Sequence, residues 1–149
     1  MIDFTRDNPA VAAKYAEALA GLARNTLKVL DYPEPVLIEG GDYQGIWLEC
    51  GPLESLIYGR VVPEVAISGH EVFFHHQRKD GYLPCYVWFK SKGAGQIQMV
   101  VPIAATAWEL AQQTGDHELL ETAYNSCSRW DAWLRQYRDT RKTGLVEGF

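Results

Sequence analysis

Apolar positions recur along most of this chain at the three-and-four step of a helix, most clearly between residues 96 and 140. Val100, Val101, Ile103, Ala104, Ala107, Trp108, Leu110 and Ala111 cover most of the circumference of a helix from about 99 to 113. That pattern predicts burial on both sides. Leu120, Tyr124, Cys127, Trp130, Leu134 and Tyr137 put one apolar stripe on a second helix, from 117 to about 137. Thr114-Gly115-Asp116 separates the two. Gly115 can take the left-handed conformation that ends the first helix, and Asp116 can cap the second. So short a connection predicts an antiparallel α-hairpin, with a buried inner helix and an amphipathic outer one.

Upstream the pattern repeats. Asp7-Asn8-Pro9 supplies a capping side chain and a first-turn proline. Val11, Tyr15, Leu19, Leu22, Thr26 and Val29 follow at helical spacing, until Pro33 and Pro35 end the run. Val36 to Glu39 reads as a short extended piece, and 40 to 45 as a glycine-rich loop before Ile46-Trp47-Leu48-Glu49. Pro52 can open a helix to about Tyr58, and Pro63 another to about Arg78, where Asp80-Gly81 signals a turn. The aromatic run 82 to 89 has strand character, but its place between two helices predicts a long packed loop. Residues 91 to 95 read as a flexible linker. The expected architecture is all-α: four or five helices in an α-hairpin array, joined by two long loops that carry aromatic residues. Loops longer than ordinary helix connections point to function or to the lining of a site.

Composition narrows the class. Of 149 residues, 47% are hydrophobic and 12% aromatic, which suits one globular unit. A net charge of −5 with no Lys/Arg stripe disfavours nucleic-acid binding. No run is long and apolar enough for a bilayer, and the first ten residues do not read as a signal peptide. Cys50, Cys85 and Cys127 form neither a zinc pattern nor a disulfide framework, so reduced thiols in a cytosolic protein are expected.

Several candidate chemistries fall away on spacing. His70, His75 and His76 with Glu71 lack the separation of a zinc-protease helix, and adjacent histidines face different ways, so no metal site is expected. Their ordinary role is to bond carbonyls at a helix end. Cys50 or Cys85 would need a histidine base nearby to act as a nucleophile, and small buried thiols are the simpler role. Gly93-Ala94-Gly95 lacks the Lys and Ser/Thr of a phosphate loop, and no cofactor is expected. The aromatics remain. Tyr43, Trp47, Tyr82, Tyr86, Trp88 and Phe89 all fall in the two long loops, with Asp42, Gln44, Glu49, Gln96 and Gln98 close in sequence. Flat rings match the C–H faces of sugars, and carboxylates and amides bind their hydroxyls. Core packing is the other use of large rings, and is expected for Trp108, Trp130 and Trp133 on helices.

The order of motifs resembles the six-hairpin glycosidases, (α/α)6 toroids that include trehalase, processing α-glucosidase and mannosylglycerate-hydrolase-type enzymes. The matching pieces are Trp47-Leu48-Glu49, then Gln77 with Asp80-Gly81-Tyr82-Leu83-Pro84 after a helix. Gln98 to Pro102 follows, leading into the helix with Ala104, Ala105 and Trp108. Thr114-Gly115-Asp116, Arg138-Asp139 and Gly144-Leu145-Val146-Glu147 complete the series. The resemblance runs from about residue 36 to the C-terminus. It implies the N-terminal part of such a domain, a partial (α/α)6 toroid, and a small saccharide or glycoside as partner. It also implies one wall of a sugar pocket made by Trp47, Glu49, Tyr82 and Gln98, with Tyr43 beside them. Many relatives carry Trp-Asp-Ser where this chain has Trp47-Leu48-Glu49. Their general acid usually follows the Gly-Leu-x-Glu segment and their base lies far downstream. The expectation is therefore that residues 1–149 lack the acid/base pair, that Glu147 is not the acid, and that the chain self-associates or pairs with a missing C-terminal half. The competing reading is a non-catalytic helical module that binds a sugar or a protein. The two differ in whether the helix from about 99 to 113 is covered.

Overall fold

The computed structural model describes residues 8–94 and 102–147. Five helices among them form the expected array: α1 (Pro9–Arg24), α2 (Gly51–Tyr58), α3 (Pro63–His75), α4 (Ile103–Thr114) and α5 (His117–Tyr137). Proline sits in the first turn of α1, α2 and α3. The Asn8 side chain caps α1 by accepting from the amides of Ala10 and Val11. Gly115, at φ 72°, ends α4 in the left-handed region, and Asp116 then accepts from the Leu119 amide to start α5.

The centre is α3, not α4. It buries Val65, Ala66, Val72, Phe73 and Phe74 and packs against α2, α4, α5 and two strands. His70 ties it to α4. Its Nδ1–H donates to the Ala66 carbonyl at 2.8 Å, and its Nε2 accepts from the Thr106 hydroxyl at 2.9 Å. Burial holds this imidazole neutral, with its pKa down to about 4.

Four expectations change. The α1 helix stops at Arg24, because Thr26–Leu27 (β1) leaves it to pair antiparallel with Val36–Leu37 (β2), the piece read as extended. Gly45–Trp47 (β3), Tyr86–Trp88 (β4) and Lys92–Gly93 (β5) form a second small sheet in the order β3-β4-β5. The stretches read as a packed loop and a linker are thus partly strands; alternation at Tyr86-Val87-Trp88 outweighs their place between helices. The α4 helix buries only Ile103, Thr106, Ala107, Leu110 and Ala111, and Ala104, Ala105 and Trp108 stay exposed. Finally, α5 buries Leu119, Ala123, Ser126 and Trp130; of the predicted stripe, Trp130 is buried, Leu120, Cys127 and Leu134 pack half-buried against the core, and Tyr124 and Tyr137 stay exposed.

Candidate functional site

The β3–β4 pair builds the most distinctive surface. Its register sets Gly45 opposite Trp88, Ile46 opposite Val87 and Trp47 opposite Tyr86. Strand side chains alternate in direction, so Ile46 and Val87, both 0% exposed, enter the core. Trp47, Tyr86 and Trp88 emerge together on the other face. Trp47 lies 6.0 Å from Tyr86 and 6.1 Å from Trp88, ring centre to ring centre. Glycine makes the closeness possible. A Cβ on Gly45 would stand 1.9 Å from Trp88 Cδ1, and one on Gly93, opposite Tyr86, 2.6 Å from that hydroxyl.

Tyr43 joins through a turn. Gly40 and Gly41 both have positive φ, and Gly40 and Tyr43 exchange two backbone hydrogen bonds of 3.0 Å. The Tyr43 ring meets Trp47 edge-on at 5.6 Å and is 62% exposed. Trp88 is 38% exposed, and Trp47 and Tyr86 are half-buried. Glu49 is exposed, two residues beyond Trp47 in the turn leading to α2. The result is an open shelf of four aromatic rings with a carboxylate nearby in the chain.

The other candidates fall elsewhere. Tyr82 is buried and belongs to another aromatic set, edge-on to Trp133 at 4.6 Å, with Arg78 over its ring at 5.3 Å. Around it, Gln77 binds the Asp80-Gly81 turn to α5 by donating to the carbonyls of Gly81 and Ser126, each at 2.8 Å. Trp133 Nε1 donates to Asp80 Oδ2 at 3.2 Å. Gln98, like Gln96, lies outside the described residues. Tyr86 and Trp88 belong to the shelf yet are absent from the residues singled out by resemblance. The signal for them was the glycine-aromatic pairing across the strands.

Cys50 does not meet a histidine. Its thiol donates to the Glu39 carboxylate, and burial together with that carboxylate pushes its pKa well up, so it stays protonated. Glu147 accepts from the Thr140 hydroxyl and amide and from Arg141. These bonds hold its pKa down to about 2, so it is ionised at neutral pH. No helix among the described residues is long and apolar enough to cross a membrane. A separate groove of about 460 Å³ runs between α4 and α5, lined by Trp108, Leu120, Tyr124 and Cys127.

No protein-family model and no curated sequence matches the chain. Among solved structures, it is similar to a GH63 mannosylglycerate hydrolase from Thermus thermophilus, determined in complex with Tris and D-glycerate. The TM-score is 0.66 at 21% identity. The chain has the fold of part of a six-hairpin glycosidase. The match takes in 90% of this chain and 35% of the solved one, so the described helices are a partial toroid. At this identity the likeness carries the architecture alone. Among the described residues, Ala104, Ala105 and Trp108 leave one face of α4 exposed.

Proposed function

We propose that this chain is part of a glycoside-hydrolase-like protein acting on a small saccharide or glycoside, and that it supplies one wall of the sugar pocket. The observation that carries the reading is the shelf of Tyr43, Trp47, Tyr86 and Trp88, held open by Gly45 and Gly93 on a glycosidase fold. Trp47 stacks on the sugar ring, and Glu49 and Gln98 bond its hydroxyls. Tyr82, which packs with Trp133 in a separate aromatic set, is not assigned to the wall. The intact reaction needs two carboxylates at a set separation, one to protonate the leaving oxygen and one to activate water or attack. The reading assigns neither to residues 1–149.

The experiment is a titration of residues 1–149 with a panel of saccharides and glycosides, mannosylglycerate and D-glycerate included, followed by tryptophan fluorescence and saturation-transfer NMR. Trp47→Ala is expected to weaken binding about tenfold, the worth of one lost stacking contact of about 1.5 kcal/mol. Saturable binding that is indifferent to Trp47 would remove the proposal. The second reading, a helical module that binds a protein or a sugar without catalysis, draws support from the bare α4–α5 groove.

A further inference from the structure

Three ligand-type side chains, two adjacent in sequence and one from far upstream, meet at the C-terminal end of α3. Asp31 comes from the loop between β1 and β2, His75 is the last residue of α3, and His76 is its cap. One donor atom from each lies within 4.8 Å of the others. His76 is the fixed point. It is 3% exposed, and its Nε2 is buried without a hydrogen-bond partner. That nitrogen stands 3.5 Å from Asp31 Oδ1. The separation is long for a hydrogen bond. It suits two ligands on one ion, since bonds of about 2.0–2.2 Å to atoms so placed subtend roughly 110–120°.

We propose that Asp31, His75 and His76 form a site for a divalent transition metal of the zinc class, with a coordination position left for water. Two imidazoles and one carboxylate favour such an ion over calcium or magnesium, which take all-oxygen sets. The other two ligands are exposed and can adjust around the buried one. Their supports are in place. Tyr32, next to Asp31, is buried, donates its hydroxyl to Glu71 Oε2 at 3.2 Å and sets its ring edge-on to His75 at 5.5 Å. The His75 and His76 rings are 4.8 Å apart.

Lys92 competes with the metal. Its Nζ lies 2.9 Å from His76 Nδ1. In the metal-free protein the ammonium donates to Nδ1, and the ring proton sits on Nε2, facing Asp31. A metal on Nε2 moves that proton to Nδ1, where it would confront another donor. The exposed Lys92 must then swing into solvent. The other ligand-type group, Glu39 with Cys50 and Glu54, has no such anchor, because its thiol already bonds Glu39.

The test uses tag-free residues 1–149, calorimetric titration with Zn²⁺, and the visible absorption of Co²⁺ as a report on direct coordination. One ion per chain is expected. Asp31→Asn and His75→Ala, both at exposed positions, should each weaken it about tenfold or more. Cys50→Ser should leave affinity unchanged, and Lys92→Met should strengthen it several-fold. Absence of saturable uptake overturns the proposal. So does affinity that survives both ligand variants, or a Lys92→Met protein that binds more weakly than the parent.

Discussion

Replacing Gly45 by alanine tests the architecture of the aromatic shelf directly. In an ordinary strand the change is favourable by about 0.5–1 kcal/mol, because alanine loses less backbone freedom on folding. Here the added Cβ would lie 1.9 Å from Trp88 Cδ1, 2.7 Å from its Nε1 and 2.7 Å from the Val87 carbonyl oxygen. Carbon atoms in contact sit about 3.5–4.0 Å apart, so both neighbours have to move. Trp88 is partly exposed and can turn away, but Val87 is held in the β3–β4 ladder with its side chain in the core. Overpacking of this kind costs about 1–3 kcal/mol. Set against the backbone gain, the net loss is about 1–2 kcal/mol. For a chain of this length that lowers the melting temperature by about 2–8 °C. Thermal melts give the stability, and near-ultraviolet circular dichroism reports the packing of Trp47 and Trp88. Gly45→Ala/Trp88→Ala should recover part of the loss, because only the carbonyl contact then remains. A Gly45→Ala protein as stable as the parent, with an unchanged aromatic spectrum, would refute the close approach and with it the shelf.

Two further outcomes follow from the same geometry. His70 has a folded pKa near 4 against an ordinary 6.5, so the unfolded chain binds its proton first; stability is full above pH 6.5 and falls by about 3 kcal/mol as pH drops toward 4. Urea melts between pH 7 and 4 should show a slope of at least that size, which His70→Asn reduces by this share, His76 retaining its own; a slope unchanged in the variant counts against the buried neutral imidazole. Residues 1–149 alone should also self-associate and turn over no aryl glycoside or disaccharide, with Trp108→Glu shifting sizing chromatography toward the monomer. A parent that is monomeric at all concentrations, or turnover that Glu49→Gln or Glu147→Gln abolishes, would contradict that picture.

Local chemistry made the helices legible. Proline after a capping side chain starts α1, and Gly115-Asp116 ends one helix and starts the next with no help from distant residues. The strands were less legible, because each depends on a partner far along the chain. Nothing near Thr26 announces Val36–Leu37, and nothing near Tyr86 announces Gly45–Trp47. The aromatic shelf shares that dependence. Its rings are obvious in sequence, but only the register brings Trp47 beside Tyr86 and Trp88 and sends Tyr82 to α5. Asp31 was hidden for the same reason, since its loop reaches His75 and His76 from far upstream in the chain.

The half-covered stripe of α5 shows where such reasoning stops. Neighbouring positions on a helix lie about 100° apart, so Leu119, Ala123, Ser126 and Trp130 form one face, and Leu120, Tyr124 and Cys127 the next. The predicted stripe ran across both, from Trp130 on the first to Leu120, Tyr124 and Cys127 on the second. The folded chain covers the first, since Ala123 and Ser126 are small and let the helix come close to its neighbours. Tyr124 is left 72% exposed beside Trp108, which is 59% exposed, along the groove between α4 and α5. Periodicity therefore identified a face that wants burial, but how far it is buried depends on a neighbour: the described helices half-cover Leu120 and Cys127 and leave Tyr124 exposed. Two apolar faces on α5 and a bare side on α4 suit helices flanked on both sides in an array. On the proposed reading a second surface covers Trp108 and Tyr124, and that is why these residues alone are expected to self-associate.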